Sequence, residues 1–168
     1  MRIFLTGPRG VGKSTVLNRV LDELKNDFRL IGYKTKKMPR GVMFKSYDGS
    51  RIWIGIMING KMKPIVENIE TMAKLMDNFK ASDDSLLFID EIGFLEENVQ
   101  AFHESLEKLV DRFRRIIGIV REGMVEKYDF LLKYSSSRLI EVTVENRNQI
   151  VDDLVKVFRY GVSSIFPQ

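Results

Sequence analysis

Short apolar runs recur along the chain at residues 2–6, 29–34, 85–90, 115–120 and 139–144. They are too brief for helices and lack the apolar–polar alternation of a half-exposed strand, so each is expected as a strand buried on both faces. Helical periodicity lies between most of them. Residues 13–25 place Val16, Leu17, Val20, Leu21 and Leu24 on one face, and residues 98–113 do the same with Val99, Phe102, Leu106, Leu109, Val110 and Phe113. Two further stripes, Ile69 to Phe79 and Ile150 to Phe158, predict a helix before the third strand and another at the end.

Strand alternating with helix implies a mostly parallel central sheet covered by helices on both faces, the α/β class. Residues 41–61 break the rhythm. There, strand-like runs are joined at Asp48-Gly49 and Asn59-Gly60, dipeptides that tolerate the positive φ of tight hairpin turns. This segment reads as a β-meander inserted after the second strand. With no repeat, low-complexity tract or Pro/Gly-rich linker, residues 1–168 are expected to form a single domain.

Composition narrows the chemistry. The chain has no cysteine and one histidine, which excludes disulfides, thiolate zinc sites and cysteine nucleophiles and leaves no His-rich metal site. Its 27 Lys+Arg against 23 Asp+Glu give +4, compatible with a polyanionic ligand but too mild to demand nucleic acid. The opening apolar run is too short for a signal peptide, so a cytoplasmic protein without membrane contact is expected.

The strongest chemical signal is Gly7-Pro8-Arg9-Gly10-Val11-Gly12-Lys13-Ser14, which fits G-x-x-x-x-G-K-[ST] and stands between the first strand and the first helix. Glycines let successive N–H groups converge on phosphate oxygens, and the helix N-terminus adds a positive partial charge. Lys13 is expected to reach the β and γ phosphates, Ser14 to offer its hydroxyl to Mg²⁺, and Thr15 to sit beside the α phosphate. A nucleoside triphosphate with Mg²⁺ is the expected ligand, and the fold is expected to be the three-layer P-loop NTPase fold.

The second signal is the strand Leu86-Leu87-Phe88-Ile89-Asp90-Glu91, which brings two carboxylates to the edge where α/β sheets bind ligands. Asp90 is expected to hold Mg²⁺ through its water shell, as in a Walker B strand. Glu91 follows where P-loop ATPases carry the glutamate that polarises the attacking water, so Lys13 and Glu91 are the expected catalytic pair. Asp90-Glu91-Ile92-Gly93 also satisfies the D-x-x-G of regulatory GTPases, but no Asn-Lys-x-Asp follows, which argues against a GTP switch.

Together, the phosphate loop, Gly32-Tyr33-Lys34-Thr35, Asp90-Glu91-Ile92-Gly93 with Glu96, and Val144-Glu145-Asn146-Arg147 resemble the small P-loop nucleoside-triphosphatases described from thermophiles, which have a cancer-related human relative. The resemblance implies Mg²⁺-dependent hydrolysis of the γ phosphate with broad tolerance of the base. It also implies a second nucleotide-binding stretch around residues 89–96. Relatives usually carry Gly-Lys-Met-Glu after the acidic pair; this chain has Gly93-Phe94-Leu95-Glu96, so the lysine's role has no counterpart at that position.

Arg9, Arg121, Arg138 and Arg147 are candidates for stabilising the transferred phosphoryl group, and Arg147 could stack on the base. The rival reading is a kinase with Arg121 and Arg138 bracketing a lid. His103 is expected to be partly exposed with a satisfied hydrogen bond and no role. The basic run Lys34 to Arg40 could touch nucleic acid, but a solvated loop lining the nucleotide cleft is the simpler expectation. A monomer is expected.

Overall fold

The computed structural model describes residues 1–161. Eight strands form one sheet: β1 (Arg2–Thr6), β2 (Arg29–Met38), β3 (Gly41–Ser46), β4 (Arg51–Ile58), β5 (Lys61–Pro64), β6 (Ser85–Ile92), β7 (Ile116–Val120) and β8 (Ser137–Glu141). Their order is β5-β4-β3-β2-β6-β7-β1-β8. From β2 to β8 neighbours run parallel; β3, β4 and β5 continue the sheet antiparallel beyond β2.

The apolar stripes explain the layers. Helices α1 (Lys13–Leu24) and α4 (Gln149–Tyr160) bury their stripes against Ile3, Leu5, Leu86, Phe88, Ile117 and Ile119 on one face. On the other, α2 (Val66–Asp77) and α3 (Gln100–Arg112) cover Phe4, Ile31, Tyr33, Phe44, Leu87 and Ile89. Consecutive strand residues feed opposite cores, which is why these strands read as unbroken apolar runs. Each fully buried large side chain, such as Phe4, Phe102 or Phe113, contributes about 1.5–3 kcal/mol.

Three boundaries differ from expectation. The second strand runs to Met38 rather than to residue 34, because from Tyr33 onward it pairs with β3 in a hairpin. The basic run Lys34 to Arg40 is therefore mostly ladder, not loop. The meander stands after the second strand as expected, with its last strand at Lys61–Pro64, and its hydrogen bonds make it an extension of the main sheet. The last strand begins at Ser137 and ends at Glu141; beyond it, Asn146 ties the chain into a turn by accepting from the Thr143 N–H at 2.8 Å and donating to the Glu141 carbonyl at 2.8 Å.

Candidate active site

The loop after β1 wraps the N-terminus of α1 at the C-terminal edge of the parallel strands. Gly7 has φ 131°, and a Cβ there would meet the Val142 carbonyl oxygen at 2.6 Å, so both the backbone angle and the approach of the β8 side require glycine. Lys13 arches back over the loop, its Nζ donating to the carbonyls of Gly7 at 2.6 Å and Pro8 at 2.8 Å. Its ammonium is thus held over the loop.

Ser14 Oγ donates to Asp90 Oδ1 at 3.0 Å, joining the first turn of α1 to the end of β6. Burial pushes the Asp90 carboxyl up from the usual carboxylate value, while the Ser14 hydrogen bond and the positive charge of Lys34 pull it down and Glu91 pushes it up. A hydroxyl and a carboxylate side by side suit a hard cation that keeps most of its waters. Among the described residues no three acidic or histidine side chains gather as a metal cage.

Glu91 sits in a bulge. The β6–β7 register passes from Ile89 opposite Gly118 to Ile92 opposite Val120, so Asp90 and Glu91 together span the place of one residue. Glu91 accordingly adopts φ 73°, unusual for a side chain with a Cβ and of order 1–3 kcal/mol in strain. The bulge aims its carboxylate at the cleft, where Arg121 NH1 stands 3.9 Å from Oε1. The Arg121 guanidinium also lies over the Phe94 ring at 4.6 Å, a cation–π contact that holds the arginine beside the Glu91 carboxylate.

These groups open onto a cleft of about 590 Å³. One wall is the phosphate loop with Lys13, Ser14 and Thr15; Glu91 and Arg121 face it. Thr35 and Lys37 of β2 also line it, as expected of that basic run though from a strand and not a loop, and Val42 of β3 and Met62 of β5 join them without any signal in the motifs. Alternation along β2 brings Thr35 and Lys37 to the same face, and that period was the available signal. Thr35 Oγ1 donates to the Asp90 carbonyl at 3.0 Å, fastening the hairpin to the acidic strand end.

The arginines separate by place. Arg9 and Arg121 line the cleft. Arg147 lies along the phosphate loop, with its NH1 3.4 Å from the Val11 carbonyl and its stem against Gly12. Arg138 pairs with Ile3 near the start of β8 and donates to the Ser135 and Ser137 carbonyls, toward the sheet edge away from the cleft. It does not join the site.

Between Arg121 and Arg138 runs a 3₁₀ segment, Val125–Leu132, whose Tyr128 and Leu131 are buried in the core beside α3. Tyr128 donates from its hydroxyl to the Gly93 carbonyl at 3.1 Å and stacks on His103 at 4.8 Å. This anchorage is unlike the lid of the kinase reading. His103 is half-buried and shares a 2.9 Å hydrogen bond with the Glu97 carbonyl, as expected for a histidine without a catalytic part.

Glu96 is the functional-site residue whose environment sequence reasoning did not foresee. It is 3% exposed, in the cleft wall, and burial pushes its carboxyl up to about 7 despite the backbone amides of Glu96 and Gly93 that favour the charge.

The profile of a family described as NTPase matches residues 2–155. The chain belongs to this family of nucleoside-triphosphate hydrolases. Its curated relatives within the family include the nucleoside-triphosphatase THEP1 of Archaeoglobus fulgidus, 27% identical over 94% of this chain and 98% of the relative. That of Pyrobaculum calidifontis is 29% identical over 92% and 90%. The fold is also that of THEP1 from Aquifex aeolicus, with a TM-score of 0.72, 20% identity and coverage of 94% of this chain and 98% of the other. The solution structure of a human cancer-related nucleoside triphosphatase superposes with a TM-score of 0.75, at 22% identity over 94% and 97%. The P-loop NTPase fold expected from the sequence is thereby borne out, and so is the family.

Proposed function

We propose that this member of the family is a Mg²⁺-dependent phosphatase that releases the γ phosphate of ATP, GTP and other nucleoside triphosphates, working as a monomer in the cytoplasm. The observation that carries the reading is the meeting of Ser14 with Asp90 at 3.0 Å beside the bulged Glu91. In this reading Gly7 to Thr15 cradle the phosphates, Lys13 draws off γ-phosphate charge, and Ser14 and Asp90 hold the metal. Glu91 accepts a proton from the attacking water and orients it, and Arg121 steadies Glu91 and faces the transferred group. When bound, Mg²⁺ supplies charge neutralisation between the β and γ phosphates.

Base tolerance is supported by the cleft's lining. Beside polar Thr35 and Lys37 it offers apolar Val42, Met62 and Phe94, which would contact any base without reading its edge. The direct test is phosphate release from ATP, GTP, CTP and UTP, with Mg²⁺ and with the metal chelated, and with small hydroxylated acceptors added. Comparable turnover of all four only with Mg²⁺ is expected; a phosphorylated acceptor in place of free phosphate overturns hydrolysis.

A further inference from the structure

The nucleotide cleft leaves one charged surface unused. Residues 33–64 contain eight Lys or Arg and a single acid, Asp48, whereas the rest of the chain contains 19 basic and 22 acidic residues. The net positive charge of the protein therefore resides in the antiparallel half of the sheet.

Register divides that half into two faces. One carries Phe44, Ile52 and Ile54 into the core beneath α2. On the other, Lys36 lies opposite Met43, Met43 opposite Trp53, Lys45 opposite Arg51, Ile56 opposite Lys63 and Ile58 opposite Lys61. Trp53, Ile56 and Ile58 remain 36%, 43% and 47% exposed along β4. The register shift between Val42 and Met43 brings Trp53 onto the face of Ile56 and Ile58, and the three form an apolar track along β4. Lys36 and Lys45 flank it on one side, and Lys61 and Lys63 on the other. Among the described residues none of these four lysines, nor Arg51, forms an ion pair.

We infer that this face binds single-stranded nucleic acid, with bases lying on the Trp53 to Ile58 track and phosphates on the flanking lysines. An apolar shelf between two cationic rows matches a strand whose bases are free and whose backbone is anionic. A duplex would offer the same charge but no base for Trp53. A membrane surface fits less well, because three apolar side chains in a single row offer little area to bury among acyl chains. Guarding the sheet edge accounts for Lys61 and Lys63 on β5, but not for Lys36 and Lys45 on inner strands.

Trp53 is the only tryptophan in the chain, so its fluorescence reports stacking directly. The full chain is titrated with oligothymidylate and oligouridylate of about 12 nucleotides, a matching duplex, and phosphatidylserine-containing vesicles. Both single strands are expected to quench Trp53, and log affinity to fall against log salt with a slope of about −2 to −3. Trp53→Ala, and separately Lys61→Glu with Lys63→Glu, are expected to weaken binding about tenfold or more, read by anisotropy of labelled strands, with phosphate release unchanged. Binding that leaves Trp53 unquenched, that the lysine variant leaves intact, that favours duplex, or that occurs only on vesicles overturns the assignment.

Discussion

Ser14, in the first turn of α1, and Asp90, at the end of β6, are hydrogen-bonded at 3.0 Å although 76 residues separate them in the chain. The contact brings the phosphate loop and the acidic strand into one unit, since neither the hydroxyl nor the carboxylate alone would hold a divalent cation at a shared position. The carboxyl is buried, so its charge has few competing partners besides Ser14 and Lys34.

Disrupting that unit should weaken the metal more than the nucleotide. Asp90→Asn and Ser14→Ala are each expected to raise the Mg²⁺ concentration for half-maximal phosphate release about 10–100-fold. Metal titrations at saturating ATP measure it, and an unchanged requirement in both variants removes the assignment.

Lys13 and Glu91 are expected to fail differently. Lys13→Ala should lower kcat about 10²–10³-fold and also weaken nucleotide binding, because it removes charge stabilisation present before and during reaction. Glu91→Gln should lower kcat about 10²–10⁴-fold with binding retained, since only proton acceptance from water is lost. Calorimetric ATP binding beside steady-state phosphate release separates the two.

Burial of Glu96 has a consequence for stability against pH. Its carboxyl titrates near 4.5 when exposed and at about 7 in the fold. Between those values the folded chain keeps a proton that the unfolded chain has lost. Stability therefore falls as pH rises across this window, by about 3 kcal/mol in total from this group. Asp90, also raised, acts in the same direction. Urea unfolding at pH 5 and pH 8 should show the loss, and Glu96→Gln should be the more stable chain at pH 8, with a flatter profile.

Gly32 marks the closest approach within the sheet. A Cβ there would stand 1.9 Å from the Phe88 carbonyl oxygen, on the neighbouring strand β6. Gly32→Ala is expected to cost about 3 kcal/mol or more, since two hydrogen-bonded backbones must part. Gly10→Ala, where no atom lies within 4 Å of the new Cβ, should cost only the φ strain of about 1–2 kcal/mol. Thermal unfolding of the two variants compares them.

The parts of the site built from neighbours in sequence were legible. Gly7 to Thr15 lie between a strand and a helix, and Asp90 and Glu91 end an apolar strand, so residue type and position sufficed to place them at the ligand edge. Arg138 was misjudged as a cleft candidate because nearness to a strand does not say which end of it; the parallel pairing with β1 puts Arg138 beside Ile3. The second half of β2 is hidden in the sequence because Lys34 to Lys37 are polar on both sides, which masks the alternation that would reveal a strand.

Local pattern determined the α/β class, the phosphate loop and the acidic strand end, because each depends on residues close together in the chain, and the order of such motifs from Gly7 to Arg147 determined the family. Only the tertiary structure decided that the meander extends the sheet, that Val42 and Met62 line the cleft while Trp53 and Lys63 face away from it, and that Glu96 is buried. Those outcomes turn on register and on which elements pack over which face. A one-residue change of register exchanges the two faces of a strand, and no short stretch of sequence carries the partner that sets it.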